Sequence, residues 1–198
     1  MYIFAIFLIT YLICSINPAI VISKKVTGVD IREVGSGNAG TTNSLRVMGK
    51  FWGAVVFICD ILKVVVAYYI CWLVGLVFKQ DLDITLKSAY MIGAVIGHCY
   101  PIYYGFKGGK GMVAILISSL FLSTKITIVC LIVALIIITV TRMVSLGSVC
   151  GVTLYWVMTL VMQTGYIVSI TIVAAVILFK HRENIKRIMN KEEHKLFS

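Results

Sequence analysis

Apolar stretches of membrane-spanning length follow one another along this chain, at residues 2–22, 52–77, 88–106, 110–123, 126–141, 147–163 and 165–180. A helix needs ~20 apolar residues to cross the hydrocarbon, where only a segment that satisfies its own backbone hydrogen bonds can reside. The recurrence points to an all-α integral membrane protein rather than a soluble domain with a large core. Composition agrees: 60% of the 198 residues are hydrophobic, 13% are charged, and the mean hydropathy is +1.01. The first stretch is apolar like a signal sequence, but it lacks a basic start and a small-residue cleavage site and is read as a retained span. Cysteines 14, 59, 71, 99, 130 and 150 are isolated and show no metal-ligand spacing, so they read as packing residues.

The number of spans turns on 110–123, which is short and can be merged with 126–141 into one tilted helix, giving six. Charge decides between six and seven. With seven spans and the tail in the cytoplasm, Lys24, Lys25, Arg32, Arg46, Lys50, Lys107, Lys110, Arg142 and the tail cations all lie inside, leaving Lys79, Lys87 and Lys125 outside. Six spans would divide them far more evenly. The positive-inside rule therefore predicts seven transmembrane helices with the N-terminus outside and the C-terminus cytoplasmic. Without an internal repeat, residues 1–198 read as one domain.

This topology puts every polar cluster on one face. The first, GSGNAGTTNSLR at 35–46, is a glycine- and hydroxyl-rich loop in oily surroundings. Its glycines let backbone N–H groups converge, Ser36, Asn38, Thr41, Thr42 and Asn43 add short donors, and Arg46 adds a cation, which together make an anion cradle suited to phosphate. The second, GHCYPIYYGFKGGKG at 97–111, carries Lys107 and Lys110 among Gly108, Gly109 and Gly111. Lysines at a membrane edge ordinarily snorkel to the head groups. The glycines favour a ligand instead, since an anchor does not need a backbone that lets an anion come close. His98 reads equally as a hydrogen-bonded structural histidine and as a site residue. Asp60 and Lys63, three apart on one helix face, most simply neutralise each other.

Two familiar fingerprints are rejected. Gly35, Gly37 and Gly40 spell GxGxxG, but no strand precedes them and Asp60 lies in the next span; neither glycine loop has GxxxxGK followed by Ser or Thr. The net charge of +10 sits mainly at one membrane face, so lipid head groups and a phosphorylated substrate explain it better than nucleic acid. The tail, HRENIKRIMNKEEHK from His181, reads as an amphipathic helix on anionic lipid, with His181 and Asn184 one turn apart at the cytoplasmic mouth. TRMVSLGS at 141–148 places Thr141, Arg142 and Ser145 at the same level. No cluster of His, Cys, Asp or Glu near these loops has ligand spacing, so neither a metal nor a cofactor is expected.

GSGNAGTTN with Arg46, GHxxP running into FKGGKG, VSL at 144–146, and HRENIKR at 181–187, in that order, resemble the bacterial acyl-phosphate-dependent glycerol-3-phosphate acyltransferase. The resemblance covers nearly the whole chain. Ala39 and Thr41 stand where the family often carries proline or valine and alanine, and neither change removes a donor. The acyltransferase motif of His and Asp separated by four residues is absent after His98, His181 and His194, consistent with a separate family.

The resemblance implies transfer of a fatty acyl group from acyl phosphate to the 1-hydroxyl of sn-glycerol 3-phosphate, giving lysophosphatidate and inorganic phosphate, at the cytoplasmic face of the bacterial inner membrane. It further implies that Ser36, Lys110 and Asn184 hold the acyl phosphate and that Arg46 and His181 handle glycerol phosphate. Gly37, Asn38, Thr41, Thr42, Asn43, Lys107, Gly108, Gly109 and Ser145 would support phosphate binding. Membrane lipids and the enzyme that makes acyl phosphate are the expected neighbours. The alternative is a small transporter for organic phosphates, but carriers usually show repeated halves and helices interrupted at the midplane.

Overall fold

A computed structural model describes residues 2–196. It is helical, with no strand among the described residues, and forms two compact units that divide between Ser118 and Ser119.

The first unit begins with α1 (Tyr2–Cys14) and α2 (Pro18–Thr27). These divide the helix expected at 2–22, because Pro18 has no N–H to give and its ring would collide with a carbonyl in the preceding turn. Asn17 turns the break into a start: its Oδ1 accepts from the Ile20 N–H at 3.2 Å, and Pro18 takes the first helical position, where a missing N–H is harmless.

After a loop at 28–40, α3 (Thr41–Val77) starts well before the apolar run at 52–77. It is two helices in sequence, broken at Gly49 with φ 86° and ψ 176°, a conformation that side chains resist. The short leading helix, 41–48, carries Arg46. Next comes α4 (Ile84–Cys99), capped by Asp83, whose Oδ1 accepts from the Leu86 N–H at 2.9 Å. α4 lies close to α1, where a Cβ on Gly93 would stand 2.7 Å from the Phe7 carbonyl oxygen; small residues permit such approach in membranes. A loop at 100–111, with a 3-10 turn at Ile102–Tyr104, leads into α5 (Met112–Leu120).

The second unit contains α6 (Thr124–Thr141), α7 (Val144–Val161), α8 (Ile167–Lys180) and α9 (Arg182–Met189). Leu120 ends α5 and Ser123 N–H bonds back to the Ser119 carbonyl at 2.8 Å, so 110–123 and 126–141 do not merge. α6 and α7 form a hairpin that reverses at Arg142, in the left-handed region with φ 59°. Ile128, Ile132, Leu135, Ile136 and Val140 of α6 are exposed, an apolar face fit only for lipid.

Four stretches are long and apolar enough to cross a bilayer: Tyr2–Thr27 taken across its break, Thr41–Val77, Thr124–Thr141 and Val144–Val161; Ile167–Lys180 is apolar but shorter.

Candidate functional site

The glycine loop of the first unit is built around Asn43. Buried on the first turn of α3, its Oδ1 accepts from the Ser36 N–H at 2.8 Å, while its Nδ2 donates to the Ile31 and Val34 carbonyls at 3.0 and 2.9 Å. The Asn43 amide thus shapes the loop from within rather than facing outward. Gly35 and Gly37 take positive φ, 62° and 67°, which turns the chain so that Ser36 and Gly37 stand exposed and Asn38 half-buried. Asn17 ties the start of α2 to the same loop through Nδ2 to the Ala39 carbonyl at 3.2 Å.

Gly40 heads α3 without a side-chain cap, so the positive helix end lies where Thr41 and Thr42 begin. Thr41 Oγ1 is buried and has no hydrogen-bond partner among the described residues. Arg46, on the next turn, is exposed. This end of α3 can receive an anion.

The lysine loop is fastened to the glycine loop by Arg32. Its Nη1 donates to the Tyr104 carbonyl at 2.8 Å and to the Lys107 carbonyl at 3.2 Å, while Nε and Nη2 form a fork on Asp30 at 3.0 and 2.7 Å. Lys24 adds a contact to Asp30 at 3.3 Å. The hydrogen bonds from Arg32, and after them Lys24, hold the Asp30 carboxyl well below the usual carboxylate range. Gly108 N–H and Gly109 N–H bond to the Cys99 and His98 carbonyls at 3.2 and 3.1 Å, folding the loop onto the end of α4. Lys107 is exposed and Lys110 half-buried. Ser36, Lys107 and Lys110 therefore belong to two loops bracketed together on the first unit, and Arg46 to the short helix that follows the first of them.

In the second unit, Ser145, Asn184 and Arg187 converge on one carboxylate. Glu193 Oε1 accepts from Ser145 Oγ and Asn184 Nδ2, each at 2.7 Å, and Oε2 accepts from Arg187 Nε at 2.9 Å. Burial by itself would raise the Glu193 carboxyl; the donated hydrogen bonds of Ser145, Asn184 and Arg187 outweigh it and leave the group below its ordinary range. The tail continues to Leu196, whose N–H bonds to the Arg142 carbonyl at 2.7 Å, closing it over the α6–α7 turn. His181 is buried, and its Nδ1 lies 2.8 Å from the Ile177 carbonyl. A carbonyl only accepts, so Nδ1 carries a proton.

Five supporting residues escape a reading by motif. Asn17 and Pro18 do carry a helix-start signal, hidden inside an apolar run. Asp30 and Arg32, two apart, look like loop charges, and Glu193 looks like part of a solvated run. Among the described residues no group of three His, Cys, Asp or Glu is placed to hold a metal ion.

Comparison with known proteins adds a lineage. The family model described as "Glycerol-3-phosphate acyltransferase" matches residues 4–191. A glycerol-3-phosphate acyltransferase of Clostridioides difficile (strain 630) is 39% identical over 192 residues, covering 95% of this chain and 92% of the relative. One from Aquifex aeolicus is 36% identical, covering 96% and 98%. The crystal structure of PlsY (YgiH), an integral membrane glycerol 3-phosphate acyltransferase, in its glycerol 3-phosphate form superposes with TM-score 0.83 at 33% identity, covering 98% of this chain and 95% of that one. Its lysophosphatidic acid form gives 0.80 at 32% identity. The chain belongs to the membrane-integral glycerol-3-phosphate acyltransferase family of phospholipid biosynthesis.

Proposed function

We propose that this acyltransferase takes its acyl group from a fatty acyl phosphate and delivers it to the 1-hydroxyl of sn-glycerol 3-phosphate. The observation that carries the proposal is the pair of glycine loops bracketed by Arg32, which offers Ser36, the α3 N-terminus, Arg46, Lys107 and Lys110 on one unit. Both proposed substrates bear phosphate, and an acyl phosphate is a mixed anhydride whose leaving group is already good. Such a reaction asks chiefly for two anions to be positioned and for developing charge to be stabilised. Membership of an acyltransferase family lends the organic-phosphate transporter no support.

In this reading Ser36, Lys110 and Asn184 hold the acyl phosphate, with Lys107 in support, and Arg46 and His181 hold glycerol 3-phosphate. The hydroxyl oxygen attacks the acyl carbon, the bond from that carbon to the phosphate oxygen breaks, and inorganic phosphate leaves. The proton of that hydroxyl passes either to the His181 imidazole or to a substrate phosphate oxygen. The Ser145–Asn184–Glu193 contacts would orient the Asn184 amide.

Seven crossings with an external N-terminus and a cytoplasmic tail fit the distribution of Lys and Arg, and would present the loops to the cytoplasm of a bacterial cell, beside the enzyme that makes acyl phosphate. The test is product identity. Purified protein incubated with palmitoyl phosphate and glycerol 3-phosphate should yield 1-palmitoyl-glycerol 3-phosphate by mass spectrometry. Absence of that product in folded protein would overturn the proposal.

A further inference from the structure

Beneath the two loops lies a buried ionic cluster that no step of the reaction above uses. Asp60 and Lys63 sit on α3 and His98 on the last turn of α4, all three essentially sealed from solvent. A charge pair on one helix face needs nothing beyond itself to be neutral, yet the Lys63 ammonium is shared among three segments. Its Nζ lies 2.8 Å from Asp60 Oδ1, donates to the Ile16 carbonyl at the α1–α2 break at 2.9 Å, and lies 3.1 Å from His98 Nδ1. The ammonium thus hydrogen-bonds to the break and to α4, while the Asp60 carboxylate beside it, whose oxygens have no hydrogen-bond partner among the described residues, supplies the opposite charge. Ionisable groups within a membrane helix are retained chiefly where they perform a task.

The imidazole passes this order upward. An ammonium only donates, so His98 Nδ1 accepts and Nε2 carries the ring proton. That Nε2 abuts Gly109: a Cβ on Gly109 would collide with it and would stand 2.7 Å from the Ala39 carbonyl oxygen. The same Ala39 carbonyl is held by Asn17, the residue next to Ile16. The His98 side chain, the glycine loop at Ala39 and the lysine loop at Gly109 therefore meet at one point, on the ring edge opposite the Lys63 contact.

We propose that Asp60, Lys63 and His98 form a positioning node that sets the 105–111 loop, and with it Lys110, against the glycine loop. The node does not touch substrate; it acts through the loop backbone, and its kinetic consequence rests on the role given to Lys110 above. Two outcomes separate the node from that role. The first is amide hydrogen exchange of the full chain in detergent, which needs no substrate. His98→Leu should speed exchange of residues 105–111 about tenfold or more while α6 to α8 keep their protection. His98→Gln, which keeps a donor on that side of the ring, should restore most of the protection.

The second is kinetic coupling. His98→Leu should lower turnover roughly tenfold or more through loop displacement, with little change in KM for glycerol 3-phosphate. In a Lys110→Ala background the same change should cost less than about threefold, because both act through one group. Gly109→Ala, which disturbs the contact from the loop side with the cluster intact, should reproduce the kinetic loss if His98→Leu folds poorly. Unchanged exchange at 105–111 in folded His98→Leu, or losses that multiply fully with Lys110→Ala, would overturn the node. A wild-type enzyme inert toward acyl phosphate would overturn the proposed function instead, while the exchange result still judges the node.

Discussion

At the scale of single residues, Lys110 and Arg46 of the first unit should fail in different ways. Lys110 is assigned to the departing phosphate, where negative charge grows in the transition state, so Lys110→Ala should lower turnover by about a hundredfold or more at saturating substrate. Arg46 is assigned to the acceptor phosphate, which does not react. Its contact is shared by ground and transition states, and Arg46→Ala should chiefly raise KM for glycerol 3-phosphate. Lys186, exposed on α9, serves as the control and should tolerate alanine. If Lys186→Ala damages steady-state kinetics as much as Lys110→Ala in equally folded protein, the losses report membrane anchoring and these assignments fall.

At the scale of elements, Glu193 fixes the tail, and its behaviour with pH has a defined sign. Its carboxyl is held below the unfolded value of ~4.3, so its contribution to stability is present above that value and is lost as pH falls through the lower, folded value. The melting temperature in detergent should therefore separate wild type from Glu193→Gln at pH 7, and the gap should shrink toward pH 4 and below. A gap that stays constant over that range would contradict the hydrogen-bonded carboxylate described here. Why Glu193 eludes sequence reading is physical: in KEEHK an acidic residue is indistinguishable from a solvated charge, and only the fold of the tail brings it to Ser145 and Asn184. The same holds for Arg32, whose carbonyl partners lie far along the chain. By contrast Ser36, Arg46, Lys107 and Lys110 stand out as candidates in the sequence because glycines lie beside donors and cations there. Helix boundaries were legible where apolar runs met polar loops. They were obscured at Pro18 and Gly49, where breaks fall inside or ahead of an apolar run and hydropathy alone is blind to them.

At the scale of the whole molecule, sidedness is the prediction that charge distribution makes. Single cysteines introduced at Lys50, Lys79, Lys107 and Lys125 in a cysteine-free background should react with an impermeant maleimide in intact cells only at positions 79 and 125. Labelling at 107 would put the lysine loop outside and contradict the proposed cytoplasmic placement of the site. Because cations rather than a metal are assigned to the phosphates, turnover should also survive EDTA. Loss on chelation with recovery on adding magnesium would show that the loops do not suffice. The donor is the central claim, and it is read most directly by inorganic phosphate released from purified enzyme given each donor with and without glycerol 3-phosphate. We expect release from palmitoyl phosphate only when the acceptor is present, matched mole for mole by lysophosphatidate, with palmitoyl-CoA unable to replace it as donor; efficient acylation from palmitoyl-CoA alone would contradict the account.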